Sequence, residues 1–168
     1  FATQEAISLA SGMWYLFIRS NEIADPFLIK QYKTLVESSK AYAYMGVVKY
    51  TSVDKNFESY LNNPKRGIAL YNPGTPVHYK FLLFNNALIR GSIFKSITLN
   101  QKLKDYGGEE LDCAYRINLE FPNRIVACPQ AVVYRYNYPS LLEHCCRLEE
   151  FGAQNFKKLN TNLKLDVI

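Results

Sequence analysis

The run Met13–Ile18 (MWYLFI) constrains the fold more than any other stretch of the chain. It is continuous, apolar, β-prone and bounded by turns, the pattern of a strand buried on both faces of a parallel sheet. Helical spacing surrounds it. Ala2, Ala6, Leu9 and Ala10 share one face of a segment that Gly12 closes, at the position where a left-handed cap is favoured. Asp25-Pro26 then predicts a helix start, with Asp25 as cap and Pro26 in the first turn, running to about Ser38. Further along, Ala43–Tyr50 reads as a strand and Ser52 as the cap of a short helix through Tyr60. Residues 72–76 (NPGTP) form a loop, Tyr79–Phe84 reads as extended, and Arg90–Ile97 as one or two helical turns. A helix follows over Glu109 to about Leu119. Two short strands, Arg124–Cys128 and Ala131–Tyr136, precede a last helix from near Pro139 to about Leu159. Strands alternating with helices predict an α/β fold, and the 168 residues fit one domain.

Charge and cysteines narrow the function classes. The chain carries a net charge of +5 and a pI near 9.0, but its cations form no block. The nearest is Lys157-Lys158, which reads as a solvated helix face. With no zinc spacing, RNA-recognition signature or basic zipper, nucleic acid is not an expected partner. The charge is compatible with docking at an anionic membrane face. Cys113, Cys128, Cys145 and Cys146 have no CxxC spacing, and no signal peptide precedes them. They read as reduced thiols in a cytoplasmic protein. No apolar run is long enough to span a bilayer. The 13 tyrosines offer flat faces with polar tips, which suit sugar clefts and half-buried strands alike. His78 and His144 have no spaced partners, so neither reads as a metal ligand or a triad member.

The chemistry concentrates at Asp105–Arg116 (DYGGEELDCAYR). Gly107 and Gly108 permit a tight turn and close approach by a ligand. Glu109 and Glu110 then open a helix. One account is structural: acids at a helix N-terminus complement its dipole, by about 0.3–1 kcal/mol when exposed, and Asp112 pairs with Arg116 across one turn.

The other account rests on a resemblance. The run resembles the Gly-Gly-Glu-Asp segment of family 2 glycosyltransferases, which have the GT-A fold. Upstream, Phe84–Phe94 (FNNALIRGSIF) is similar to the family's small-residue and Asn segment followed by an Arg-x-x-x-Phe turn. Downstream, Arg124–Tyr136 resembles its strand pair, and the last helix with Arg147, Gly152 and Asn155 resembles its closing helix. The resemblance implies a partial GT-A, Rossmann-like mixed sheet flanked by helices. It implies transfer of a sugar from a nucleoside diphosphate to an acceptor hydroxyl, with inversion, as in polysaccharide or glycolipid synthesis. Glu110 would be the general base, Glu109 would orient the site or bind acceptor hydroxyls, and Asn85, Asn86, Gly107 and Gly108 would line the acceptor side.

The pattern breaks where the family carries its metal motif, Asp-x-Asp. Here the strand Met13–Ile18 leads to Arg19-Ser20-Asn21. Asn21 offers one neutral oxygen and Glu22 a carboxylate that could swing in, a weak set for Mn2+ or Mg2+, which want hard carboxylate oxygens. A second ligand position of many relatives falls at Arg135. Arg19 and Arg135 could therefore replace the metal, since guanidinium forks bind phosphate oxygens. The competing expectation is a GT-A-like binding or scaffold protein without activity.

The first nucleotide-binding strands of the family have no counterpart here. Residues 1–168 would correspond to the central and C-terminal part of a GT-A domain, as a fragment or the ordered part of a longer chain. An exposed sheet edge predicts self-association.

Overall fold

The computed structural model describes residues 2–167. Its strands are β1 (Trp14–Phe17), β2 (Glu22–Ala24), β3 (Ala43–Ser52), β4 (Ala87–Arg90) and β5 (Ile125–Tyr138). Its α-helices are α1 (Ala2–Leu9), α2 (Leu28–Ser38), α3 (Lys55–Leu61), α4 (Glu109–Glu120), α5 (Leu141–Ala153) and α6 (Thr161–Val167). The strands form one mixed sheet in the order β1-β4-β3-β5-β2. Only β3 and β5 run parallel; the other neighbours are antiparallel.

Period-two alternation along the central strands gives the sheet two apolar faces. Ala43, Met45, Ile89, Ile125 and Ala127 face a core completed by Cys113, Ala114 and Ile117 of α4. Tyr44, Leu88, Val126 and Val133 face a second core, closed by Leu28, Tyr32, Leu35 and Val36 of α2. The spacing of those four α2 residues is the helical stripe that a sheet-facing helix needs. This is the mixed, helix-flanked α/β sheet expected from the sequence.

Several local expectations are corrected. The run Met13–Ile18 is not a fully buried parallel strand. Its centre, β1, is an edge strand, half-buried and antiparallel to β4, and Met13 is 72% exposed. Both of its faces do pack, Phe17 on Phe84 and Trp14 on Tyr44, which is why the run is apolar throughout. Asp54, not Ser52, caps α3, its carboxylate accepting from the Phe57 N–H. Asp25 accepts instead from the Phe27 N–H just ahead of α2, so that helix begins at Leu28. Tyr79–Phe81 is a 3-10 turn rather than an extended segment. The last helix stops at Ala153, followed by a 3-10 turn at Phe156–Lys158 and then α6.

The two strands expected over 124–136 are one strand with a bulge. Met45 pairs with Ala127, and the next pair is Val47 with Val132. Cys128–Ala131 on β5 thus stand against the single residue Gly46 on β3, and Pro129, which cannot donate to a ladder, sits among them. The Asn86 side chain fills the gap. Its Nδ2 donates to the Val47 and Ala131 carbonyls, each at 2.9 Å, and its Oδ1 accepts from the Tyr32 hydroxyl at 2.8 Å. Gly46 is needed opposite, since a Cβ there would lie 2.2 Å from Asn86 Nδ2.

The four cysteines are free, Cys113 and Cys128 buried and Cys145 and Cys146 exposed. Among the described residues, no helix is long and apolar enough to cross a membrane.

Candidate active site

Strand β1 delivers the chain to Arg19 at the mouth of an open cleft of about 1410 Å³. Phe17, Arg19 and Asn21 line one wall, and Gly107–Glu110 and Arg135 line others. Arg19, Asn21, Gly107, Gly108, Glu109, Glu110 and Arg135, widely separated in sequence, therefore share one cleft, while Glu22, Asn85 and Asn86 are not part of its lining.

The acidic wall is built from α4 and its preceding turn. Gly107 and Gly108 have φ of 79° and 94°, the left-handed region that favours glycine. Phe151 of α5 packs on both, and a Cβ on Gly108 would meet its ring at 2.9 Å. The buried Asn155 side chain donates to the Asp105 and Gly107 carbonyls at 2.7 and 2.8 Å, and Lys158 pairs with Asp105 at 2.6 Å. This scaffold sets the first turn of α4. Asp112 pairs with Arg116 across that helix, as its spacing predicts, with the Arg116 Nε donating at 3.0 Å. Asp112 thus has a structural partner, whereas Glu109 and Glu110 face the cleft.

Glu110 forms an ion pair with Arg19. Burial pushes its carboxyl above the ordinary range, opposed by the positive charge of Arg19, hydrogen bonding to the Phe84 backbone and the more distant Arg135. Such a group has raised affinity for a proton, which suits a general base.

The turn at 19–22 is closed reciprocally. The Glu22 N–H donates to the Arg19 carbonyl at 3.1 Å, and the Arg19 N–H donates to Glu22 Oε2 at 2.7 Å. Strand β2 then sets Glu22 opposite Arg135 of β5, and β3 sets Tyr50 beside Arg135 on the other side. The Arg135 guanidinium lies 4.8 Å from the centre of the Tyr138 ring. Burial is also the main cause raising the Glu22 carboxyl above its usual range. Tyr50 is pushed up to about 12, first by burial and then by Tyr138.

Three buried side-chain atoms lack a hydrogen-bond partner among the described residues: Glu22 Oε1, Asn85 Oδ1 and Arg135 Nε. Native proteins seldom leave such atoms unpaired, because each costs about 1–3 kcal/mol. All three belong to residues named from the sequence. Asn85 reaches Tyr50 with a single 3.4 Å contact from Nδ2, and Tyr50 neighbours Arg135. The unpaired atoms are thus linked through Arg135 and Tyr50 beside the cleft.

The asparagine pair divides. Asn85 has unused hydrogen-bonding capacity. Asn86 is fully buried and committed to the bulge, so its place is structural rather than on the acceptor side. Tyr50 and Tyr138 were not marked by any local pattern; only the pairing of β3 with β5 brings them to Arg135. His78 caps the 3-10 turn through Nδ1, and His144 packs on Phe57 and Tyr138.

The residues at 19–22 and 135 do not fit a divalent cation. Such an ion wants several hard oxygen ligands, and Glu22 Oε1 is the one orphaned carboxylate oxygen here. Two guanidinium groups flank it, and Glu110 is taken by one of them. Among the described residues, no cluster of three or more His, Cys, Asp or Glu is placed to hold a metal. The same cations offer forked donors to an anion.

No protein-family model matches the chain, and no curated protein does. Solved structures share its fold. The S. aureus TarS 1–349 crystal structure superposes with a TM-score of 0.57 at 16% identity, over 79% of this chain and 38% of that one. The same protein in complex with UDP-GlcNAc gives 0.57 at 16%, over 82% and 38%. A mycobacterial protein gives 0.50 at 14%, over 84% and 45%. The chain therefore spans less than half the length of these structures. At such identities the likeness concerns fold alone: a partial GT-A, Rossmann-like mixed sheet flanked by helices.

Proposed function

We propose that the chain is the central and C-terminal part of a family 2-type glycosyltransferase domain whose cleft takes a nucleoside-diphosphate sugar. The observation that carries this is the grouping of Arg19, Arg135 and Glu110 on one cleft, with unpaired buried atoms on Arg135, Glu22 and Asn85 around it. The TarS neighbours were solved with UDP and with UDP-GlcNAc, which favours a ligand of that class.

In the reaction, the acceptor hydroxyl gives its proton to the Glu110 carboxylate as its oxygen bonds to the anomeric carbon. The bond from that carbon to the diphosphate oxygen breaks, and the nucleoside diphosphate leaves with the electron pair. Attack opposite the leaving group inverts the anomeric centre. Arg19 and Arg135 hold the charge that develops on the leaving phosphate, the role that a fixed cation fills in a water-poor site. Glu109 and Asn85 face acceptor hydroxyls, and the Gly107-Gly108 turn lets the acceptor approach the backbone. The acceptor hydroxyl belongs to a glycan or a glycolipid.

A fold kept for binding without transfer is the second candidate, favoured by Arg19 resting on the proposed base. Thermal unfolding against UDP, GDP and their sugar conjugates separates the cases. A ligand at a hundredfold excess over its Kd stabilises by about 2.7 kcal/mol. Stabilisation together with sugar release that Glu110→Gln abolishes supports the enzyme. Stabilisation with no release from any conjugate supports binding alone. No shift with any nucleotide contradicts both.

A further inference from the structure

We infer that the Arg19–Glu110 ion pair is a latch: the diphosphate of an incoming donor takes Arg19 away from Glu110, so the carboxylate is free to act on an acceptor only once the donor is seated. This rests on the nucleotide-sugar reading of the cleft, and it adds an order of events to it.

The two partners differ in what can move. The Arg19 side chain is 43% exposed and that of Glu110 is 21% exposed. Glu110 projects from the first turn of α4, whose approach is fixed by the Gly107-Gly108 turn, Phe151 and Asn155. Arg19 is held at its backbone, by Glu22 Oε2 on its N–H and by the Glu22 N–H on its carbonyl. Its guanidinium therefore swings from a fixed root. The second cation is less free, because the Arg135 guanidinium stacks on Tyr138. An anion entering the cleft meets one stationary guanidinium and one that can be drawn over to complete a two-pronged grip.

The exchange is balanced in charge. Arg19 trades a carboxylate for a phosphate, and Glu110 keeps a partner until the donor arrives. Once Arg19 has gone, Glu110 loses the nearest charge that stabilises its ionised form and keeps the burial that disfavours it. Its basicity rises at the moment an acceptor proton has to be accepted. The same competition weakens donor binding, because the pair must break first.

Isothermal titration with UDP on the full chain tests this, with wild type, Glu110→Gln and Glu110→Asp. Glu110→Gln removes the charge that holds Arg19, and Glu110→Asp keeps a charge on an arm one methylene shorter. The latch predicts that both variants bind UDP more tightly than wild type, by up to about fivefold, the range expected for losing a partly exposed ion pair. Equal affinity in all three proteins overturns the latch and leaves the nucleotide site standing. A gain in Glu110→Gln alone overturns it as well, because that is plain repulsion between Glu110 and the diphosphate. Absence of UDP binding in all three removes the nucleotide site, and the latch with it.

Discussion

Replacing Asn86 by alanine should cost far more stability than replacing its neighbour Asn85. Asn86 Nδ2 is the donor to two strand carbonyls, those of Val47 and Ala131, each at 2.9 Å and inside the bulge where β3 and β5 lose register. Asn86 and Ala131 are 0% exposed and Val47 is half-buried, so neither carbonyl is freely open to water. Each carbonyl left without a donor costs about 1–3 kcal/mol, which puts the two together at about 2–6 kcal/mol. The Tyr32 hydroxyl loses Oδ1 but keeps the Asn86 backbone carbonyl at 2.7 Å, so it adds little. Against a typical domain stability of about 5–15 kcal/mol, the loss is a large fraction of the whole. Asn85 is also buried, yet its Oδ1 has no partner and its Nδ2 only a 3.4 Å contact, so Asn85→Ala should cost under about 1 kcal/mol. Urea unfolding followed by far-UV circular dichroism and by the fluorescence of Trp14, the single tryptophan, measures both. With a slope of about 2 kcal/mol per molar urea, the Asn86→Ala midpoint falls by about 1–3 M. A midpoint unchanged within error, or an equal loss in Asn85→Ala, would refute the structural role of Asn86 and the division of the pair.

Two further outcomes follow from the acidic wall. Gly108→Ala forces a side chain onto a φ of 94° and sets its Cβ 2.9 Å from Phe151. It should destabilise by about 1–3 kcal/mol and weaken UDP binding, which equilibrium unfolding and titration read separately. The Glu110 carboxyl is raised by burial in the folded chain. Its contribution to stability is therefore full below the ordinary carboxylate range and is lost as pH rises through the folded pKa. Glu110→Gln removes this titration, so the variant should gain on wild type as pH rises from 4 to 7; a constant difference between their urea midpoints would contradict the raised pKa.

Much of this architecture was legible because it is written in local patterns. The Asp25-Pro26 pair and the acids behind two glycines predict α2 and α4 without reference to the rest of the chain. What stayed hidden depends on neighbours distant in sequence. The direction of β1 is set by β4, which pairs with it through Trp14–Arg90 to Phe17–Ala87, and an apolar run looks the same in either direction. Strand β2 is three residues long and largely exposed, with no pattern of its own; pairing with β5 creates it. Asn85 and Asn86 are chemically identical, and only the bulge decides which one is spent on the sheet. Arg19 and Glu110 were each visible as candidates. Their contact spans 91 positions and belongs to the fold.

The most direct test of a metal-free diphosphate site is calorimetric titration of UDP into wild type and Arg135→Ala, each with a chelator and with manganese. Arg135 supplies an unpaired buried Nε beside the cleft, so the expected result is wild-type binding that chelator leaves unchanged and that Arg135→Ala loses by tenfold or more. Binding that requires manganese, or that survives Arg135→Ala undiminished, would contradict the assignment of the two arginines to the place of the metal.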